Sequence, residues 1–515
     1  MKIRLSEHFT YQKLLRFVLP SIIMMIFTSI YGVVDGLFVS NYVGKTAFAG
    51  LNLIMPFIMA LSALGFMMGT GGSAIVAKTL GEGKKKKANE YFSSVLMANI
   101  AIIPVILAVA VPVILNAEKL LDIPVELEES VKLLFFFILF NFIITLISTV
   151  YNVATFITNR LYLSSIANIV TALLRVFLMC LLFGMLPPNV AYIGIVTCIC
   201  TFVGLVMNMY YTRLLVPDIR LKKCYVHWIK VKELISAGMW NSISRLSQVL
   251  SDGLDLVITN IWISAYLMGE LSIAQQIPTY ISTLTNTLIN LFSPNLTMYY
   301  AKDDTEAVVK ELKLSMKFSS FFVNIIFCIL VIFGKYFMQL WVPNQDVNLI
   351  YSLLVVIMMS LLVSGVTTSL NNVFLVTNRL KVNSIFWLII SFTNVLLVFI
   401  FLNTTSLGIY AVAGVSKVTG ILGNLIFVPL YACKCLKIKW NTFYPIIFRY
   451  IGTTFIMMIV FFGIKRLYVL PINWITFFVV CVIAGFAGCI VNFFVLLNHT
   501  ERSIMKNKIM ARVRK

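Results

Sequence analysis

The chain carries little charge for its length. Asp, Glu, Lys and Arg make up only 12% of its 515 residues, whereas 60% of the residues are hydrophobic. A soluble domain has about 25% charged residues and about 45–50% apolar ones. A soluble fold of this composition would expose large apolar patches, so we exclude a globular cytosolic enzyme.

Histidine and paired cysteine are also scarce. The chain has only three histidines, all of them outside the long apolar stretches: His8, His227 and His499. Of its nine cysteines, Cys198 and Cys200 are separated by one residue, as are Cys433 and Cys435. This spacing lacks the paired CxxC pattern of a zinc site. We therefore expect neither a metal centre nor a disulfide framework, and no cofactor other than a coupling H⁺ or Na⁺.

Long apolar stretches take the place of a soluble core. A transmembrane helix needs about 20 mostly apolar residues, and such stretches alternate with short polar gaps along the whole chain. We predict an all-α polytopic membrane protein with fourteen transmembrane helices. These spans 1 to 14 are 14–40, 47–77, 91–116, 131–158, 161–186, 190–212, 232–265, 273–300, 316–334, 347–376, 382–402, 405–432, 442–464 and 471–498.

The positive charge of the chain follows this topology. Of its 41 Lys and Arg, 31 lie in gaps on the side of the termini. Only six lie in gaps on the other side: Lys45, Lys119, Lys132, Lys335, Lys465 and Arg466. Because cytoplasmic loops collect Lys and Arg, we predict a plasma-membrane protein with both termini in the cytoplasm. The net charge of +21 is then a matter of topology, and we expect no nucleic-acid partner.

The gaps between the spans leave no room for a soluble catalytic domain. The sequence has no Walker motif, DxD pair or His–Asp dyad. A membrane glycosyltransferase or polymerase would need carboxylates beside a sizeable extramembrane loop, which is missing here. We therefore predict that the chain is not an enzyme and that it is a transporter.

An internal repeat divides the chain. Four landmarks recur in the same order about 220 residues later, as in transporters built from parallel repeats: Pro20, Asp35, Pro56 and Ala77-Lys78 match Trp240, Asp255, Pro278 and Ala301-Lys302. A triplet follows each set, Phe92-Ser93-Ser94 and Phe318-Ser319-Ser320. We predict a six-helix lobe at 1–220, a second at 221–440, two additional helices at 441–498 and a basic cytoplasmic tail at 499–515.

Span 7 carries a polar stripe. Its members recur at helical spacing: Asn241, Arg245, Gln248, Asp252, Asp255 and Thr259. At about 100° per residue they fall within an arc of about 80°. Charged residues at bilayer depth usually face a bundle interior or a wet cavity. The stripe is either the hydrophilic wall of a translocation cavity or an ion set of Arg245, Asp252 and Asp255 that holds helices together.

Spans 5 and 12 also contain positively charged residues within the predicted membrane. Span 5 has a polar face of Ser164, Asn168, Thr171 and Arg175. Arg175 follows Arg160 by fifteen residues and so lies near mid-membrane, too deep to reach the interface easily. Span 12 places Lys417 on one side with Gly420 and Asn424. For Lys417, a cavity role and a helix-end contact both remain open.

Two families share motifs with this chain. The first 95 residues resemble the multidrug and toxic compound extrusion (MATE) transporters through Leu19-Pro20, Val34-Asp35-Gly36-Leu37-Phe38-Val39, Ala47 to Pro56 and Ala77 to Gly83. From about residue 130 onward the chain resembles oligosaccharide-lipid flippases of the O-antigen type through Asn159-Arg160-Leu161-Tyr162, Gly238-Met239-Trp240-Asn241, Phe292 to Thr297, Asn378-Arg379-Leu380-Lys381, Leu407-Gly408-Ile409 and the basic tail. Both belong to the multidrug, oligosaccharidyl-lipid and polysaccharide exporter (MOP) superfamily. The resemblance implies two six-helix lobes, a central cavity and alternating access.

The flippase resemblance implies a polyprenyl-pyrophosphate-linked oligosaccharide as the substrate. Arginine binds phosphate through a planar fork of donors, so Arg175, Arg245 and Lys417 would hold the headgroup. Polar side chains would accept the sugar hydroxyls, and the candidates are Asn168, Asn241 and Gln248. The expected partners are this lipid, the bilayer and polysaccharide-assembly proteins.

The alternative is a cation-coupled drug exporter, whose cationic substrates would prefer carboxylates. Asp35 matches the acidic residue of span 1 in these exporters, and we assign H⁺ or Na⁺ coupling to Asp35 with Asp252 or Asp255. The exporters also carry Asn and Asp four residues apart on span 5, where this chain has Arg175 and Met179. This difference, and fourteen spans in place of twelve, favour the flippase.

Overall fold

The computed structural model describes residues 76, 79, 84–116, 128–151, 154–155, 161–217, 225–290, 292–377, 379–467 and 473–496. Span 1 and nearly all of span 2, with Asp35 and the first set of repeat landmarks, lie outside these residues. Over the described ranges the regular structure is helical, without strands.

Seventeen α-helices follow one another in the described part of the chain. They are α1 Lys85–Leu115, α2 Glu128–Tyr151, α3 Leu161–Met185, α4 Ala191–Leu215, α5 Trp228–Gln248, α6 Leu254–Trp262, α7 Ala265–Asn290, α8 Ser293–Ala301, α9 Thr305–Trp341, α10 Val347–Met358, α11 Leu361–Thr367, α12 Asn371–Val376, α13 Leu380–Thr404, α14 Ile409–Leu422, α15 Val428–Leu436, α16 Tyr444–Leu467 and α17 Trp474–Val495.

Ten helical segments among the described residues are long and apolar enough to cross a membrane. They coincide with predicted spans 3 to 6 and 9 to 14, so the all-α polytopic fold is confirmed. Spans 7 and 8 are also helical (α5 to α8) but carry more polar residues. The total of fourteen spans stays a prediction.

The described residues separate into two compact units. The first contains those up to Gly269 together with Lys381–Leu396, and the second contains Glu270–Leu380 with those from Leu397 onward. The predicted lobe bounds, 1–220 and 221–440, derive from the repeat and stay a prediction.

In the first unit, α4 packs against both α2 and α3, and α2 also packs against α1. The α2–α4 contact is close because Gly194 has no side chain. A Cβ at this position would lie 2.7 Å from Phe137 Cβ and 3.1 Å from Leu134 Cδ1. The amide of Asn99, fully buried on α1, donates to the Leu146 carbonyl of α2 at 2.8 Å. These contacts hold α1, α2 and α4 together, and α4 is the helix against which span 5 packs.

Span 7 is interrupted in its middle. Helices α5 and α6 are joined by a π-helical turn, Val249–Gly253, a feature that is frequent at functional sites. Two serine pairs, each 2.8 Å apart, join this span to α13: Ser244 with Ser384, and Ser251 with Ser391. Because both pairs repeat every seven residues, the two helices run parallel at heptad spacing. The pairs attach the first part of α13 to the first unit.

In the second unit, α9 is the central helix, and α10, α11, α16 and α17 pack around it. The amide of Asn324 donates to the amide oxygen of Asn492 at 3.0 Å, and the Asn492 amide donates to the Phe321 carbonyl at 3.0 Å. Both asparagines are fully buried. Interhelical amide bonds of this kind hold membrane helices together, so spans 13 and 14 are firmly docked on span 9.

Candidate substrate-binding site

Arg175 lies on α3 and is half-buried. Its Nη1 donates to Thr197 Oγ1 on α4 at 2.8 Å, and that hydroxyl donates in turn to the Ile193 carbonyl at 2.6 Å. Because its hydroxyl is held by its own helix, Thr197 fixes the direction of the guanidinium. The predicted mid-membrane cation is therefore held in a defined orientation within the first unit.

The rest of the span 5 face is uncharged. Asn168 is exposed and Thr171 half-buried, whereas Met179 is fully buried. Helix α3 contains no Asp or Glu. This face therefore presents a positive charge and neutral polar groups, which suits an anion and disfavours a cation.

The predicted stripe of span 7 is divided into two parts. Arg245 and Gln248 are exposed, and Arg245 Nη1 donates to Gln248 Oε1. Asp255 and Thr259, past the π-helical turn, are buried. A π-helix winds more slowly than an α-helix, so it rotates the residues that follow it away from the face predicted at uniform helical spacing. Asn241 lies on α5 and Asp252 in the π-helical turn, but their side chains are not among the described ones.

Lys417 belongs to the second unit and is half-buried on α14. About two turns further, the Asn424 amide donates to the Gly420 carbonyl at 2.9 Å and accepts from Thr367 Oγ1 at 3.5 Å. Asn424 lies in a second π-helical turn, Gly423–Phe427. Lys417 therefore lies six residues before an irregular turn of span 12 that contains Asn424.

Glu270 was missed by the sequence analysis. It is 1% exposed, and its Oε1 accepts from the backbone N–H of Asp346 at 3.3 Å. The predicted boundaries placed it in the gap between spans 7 and 8, so it was not counted as an intramembrane charge. Because Asp346 lies 76 residues further along the chain, no local sequence pattern could predict this contact.

A cluster at the start of span 7 was also missed. Tyr91 on α1 donates to Glu233, and Lys230 Nζ donates to the Tyr91 hydroxyl at 3.1 Å. Lys230 also lies 4.6 Å from the centroid of the Tyr91 ring. The hydrogen bond that Lys230 donates to Tyr91 is the main reason that the pKa of Lys230 is raised. This cluster attaches α5 to α1 and belongs to the scaffold of the site.

The chain is similar to known proteins over most of its length. Residues 20–181 match the family model described as MatE. The chain is 25% identical over 406 residues to the uncharacterized membrane protein EpsK of Bacillus subtilis (strain 168), a match that covers 79% of this chain and 80% of EpsK.

Three solved structures share the fold. The MATE multidrug transporter DinF-BH has a TM-score of 0.66 at 20% identity and covers 84% of this chain and 98% of its own. The lipid II flippase MurJ in an inward closed conformation has 0.65 at 17% identity, covering 92% and 98%. A MOP superfamily transporter from Pyrococcus furiosus Vc1 (DSM3638) has 0.64 at 16% identity, covering 82% and 95%.

The MatE match falls on the N-terminal part of the chain, and the shared fold extends over most of the rest. The ten long apolar helices among the described residues also indicate a protein that crosses the membrane several times. The chain therefore has a MATE-like, multi-helix membrane fold, the fold that these solved transporters share.

Proposed function

We propose that this chain is a flippase. It moves a polyprenyl-pyrophosphate-linked oligosaccharide across the plasma membrane for the synthesis of surface polysaccharide, by alternating access, with both termini in the cytoplasm. Arg175, Arg245 and Lys417 hold the pyrophosphate headgroup, and Asn168, Asn241 and Gln248 accept hydrogen bonds from the sugars.

One observation carries the proposal: the polar face of span 5 is cationic. Arg175 is fixed there by Thr197, and the resemblance to the drug exporters places buried Met179 where those exporters carry a carboxylate. A pyrophosphate carries negative charge, and hydrogen bonds between Arg and phosphate are about twice as strong as neutral ones. A cationic drug would be repelled by the same face.

The comparisons support this choice. The lipid II flippase covers 92% of this chain, against 84% for the multidrug transporter DinF-BH. The Pyrococcus furiosus transporter has a binding pocket of reverse polarity, which suggests a different function for that protein. These similarities favour an anionic substrate in a fold that multidrug transporters also use.

Directional transport needs a driving force, and we assign the coupling of H⁺ or Na⁺ to Asp35 with Asp252 or Asp255. One charge that crosses 100 mV supplies about 2.3 kcal/mol. Asp35 lies outside the described residues, and Asp255 is 4% exposed on α6. A buried carboxylate is costly when charged, so ion uptake there favours a change of state.

The headgroup assignment is tested in a strain that lacks this protein and carries one variant of it at a time. The quantity measured is the amount of surface polysaccharide that each strain exports. We expect Arg175→Ala or Arg245→Ala to reduce export about tenfold or more, because a charge-assisted hydrogen bond contributes about 1.5–3 kcal/mol. Arg175→Lys should restore it only in part, since Lys lacks the fork of donors. Arg449→Ala is the control, because Arg449 is exposed on α16.

Protein amount in the membrane and thermal unfolding are measured for each variant, so that misfolding is separated from loss of binding. Drug resistance is measured in the same strains. If Arg175→Ala exports polysaccharide normally but loses drug resistance, the proposal is wrong and the alternative, an H⁺- or Na⁺-coupled multidrug antiporter, replaces it.

A further inference from the structure

Three positively charged residues lie at one end of the second unit, on the predicted external side, where the chain has few Lys and Arg. Lys335, Lys465 and Arg466 are three of the six Lys and Arg in gaps on the predicted external side. Lys335 lies near the end of α9, and the other two lie in the last turn of α16. We refer to them as the outer cation cluster.

The cluster is organised by aromatic and backbone contacts. Lys465 Nζ donates to the Ile332 carbonyl of α9 at 2.9 Å and lies 5.5 Å from the centroid of the Tyr336 ring. The Arg466 guanidinium lies 5.0 Å from the centroid of the Phe462 ring. Lys335 directly precedes Tyr336 on α9 and so lies in the same turn of the helix that Lys465 contacts. Like charges held together raise the local positive potential, and a bound anion lowers it.

The three helices that carry the cluster and its aromatic contacts offer no carboxylate to neutralise it, and Asp346, which follows α9, caps α10 by accepting from the backbone N–H groups of Asn348 and Leu349. Helices α16 and α17 contain no Asp or Glu, and the last acidic residue of α9 is Glu311, near its opposite end. A helix C-terminus attracts cations only within its last turn. The helix dipole therefore accounts for Lys465 and Arg466, but Lys335 lies six residues before Trp341 and is outside its reach.

Aromatic side chains continue from the cluster towards lipid. Phe337 contacts Trp341 and Trp474, with ring centroids 5.6 and 6.2 Å apart. Trp474 is 42% exposed and Phe478 is 61% exposed. Aromatic rings of this kind lie at the headgroup level of a membrane, so the cations and the aromatic rings together form an amphipathic surface.

We infer that Lys335, Lys465 and Arg466 bind the phosphate of a lipid headgroup in the outer leaflet, with Trp474 and Phe478 against the upper acyl chain. The inference goes beyond the proposed function, because it concerns lipid binding on spans 9, 13 and 14 and holds whatever the transported substrate is. It uses the predicted orientation of the chain.

Fluorescence quenching by brominated lipid tests this surface locally. The full chain is reconstituted in mixed phosphatidylcholine and phosphatidylglycerol vesicles in which one or the other lipid carries bromine on its acyl chains. We expect brominated phosphatidylglycerol to quench more than brominated phosphatidylcholine. Trp474→Phe should remove most of this excess, which shows that the excess arises at the outer cation cluster.

Variants with fewer charges complete the test. Lys335→Gln with Arg466→Gln should abolish the excess quenching while leaving the Lys465 hydrogen bond in place. Lys132→Gln is the matched control: Lys132 is an external cation whose Nζ lies 2.8 Å from Glu128, and its loss should leave the excess unchanged. The inference is overturned if the double variant retains the excess, or if inorganic phosphate removes it from the wild-type chain, which would indicate a site for free anions.

Discussion

Helices α1 and α9 carry the same triplet but lie in different surroundings. On α1, Val105 and Val109 are 60% and 65% exposed. On α9, Asn324, Phe327 and Cys328 are at most 1% exposed, because α16 and α17 cover them. The two additional helices thus convert a lipid-facing helix into the core of the second unit.

The triplets also hold different partners. Ser94 accepts from the backbone N–H of His227 at 3.1 Å and so attaches the segment that precedes α5. Ser319 instead donates to the Gly365 carbonyl of α11 at 3.1 Å. Ser94 is the third residue of its triplet and Ser319 the second of its own, so the two triplets use hydroxyls at different positions: one fixes a connecting segment, and the other packs two membrane helices. The third residue of the second triplet, Ser320, donates to the Lys317 carbonyl of its own helix at 3.1 Å.

The largest expected effect on stability concerns the packing of α9 against α11. Gly365→Ala would place a Cβ 2.7 Å from Val323 Cγ1 and 2.9 Å from the Tyr450 hydroxyl. Overpacking of this kind costs about 1–3 kcal/mol, which thermal unfolding of the purified chain would measure. Gly452→Ala is the control, because nothing lies within 4 Å of that position. Equal stability of the two variants would contradict the close α9–α11 contact.

A smaller loss is expected where α17 docks on α9. Asn492→Ala removes the partner of Asn324 and the bond to the Phe321 carbonyl. Interhelical polar bonds contribute roughly 0.6 kcal/mol on average and up to about 1.7 kcal/mol, so we expect the substitution to lower the free energy of unfolding by an amount within this range. Asn403→Ala should change it little, since the Asn403 amide donates to a carbonyl of its own helix and is exposed. If Asn492→Ala leaves the free energy of unfolding unchanged, spans 13 and 14 are held by apolar packing alone.

The smallest effects distinguish the two triplets. Ser319→Ala should reduce the free energy of unfolding by about 1 kcal/mol, the contribution of a typical hydrogen bond. Ser94→Ala should act locally and speed amide hydrogen exchange at 225–231 while global stability changes less. If both variants lower global stability equally, the triplets have the same structural role and the comparison fails.

Coupling makes a separate prediction. Asp255→Asn keeps the size of this buried side chain but removes its charge, so transport should slow while thermal unfolding is unchanged. Asp346→Asn is the control, because Asp346 is exposed and caps α10, a role that Asn also fills. Full transport by the Asp255 variant would exclude Asp255 from coupling.

The sequence predicted the class of fold and most spans because long apolar stretches identify membrane helices directly. The predicted ends of the spans differ from the observed helix ends where a helix continues beyond its apolar stretch into polar residues. Span 9 was predicted at 316–334, and α9 covers Thr305–Trp341. Asp304 caps this extension by accepting from the Ala307 backbone N–H at 2.9 Å. Hydropathy does not register such a helical extension.

The candidate site was predicted in composition but only partly in geometry. A stripe at uniform helical spacing assumes one continuous helix, and the π-helical turn at Val249–Gly253 separates exposed Arg245 from buried Asp255. The bond between Arg175 and Thr197 joins residues 22 positions apart and depends on the packing of α3 against α4. Tertiary contacts of this kind leave no periodic signal in a single sequence.

Transbilayer movement of a fluorescent polyprenyl-pyrophosphate oligosaccharide in vesicles containing only the purified chain tests the central claim most directly. The account predicts that the wild-type chain moves this lipid to the opposite leaflet under an ion gradient and that Arg175→Ala does so at least about tenfold more slowly. Movement at the same rate in both chains, or movement of a cationic dye in its place, would contradict it.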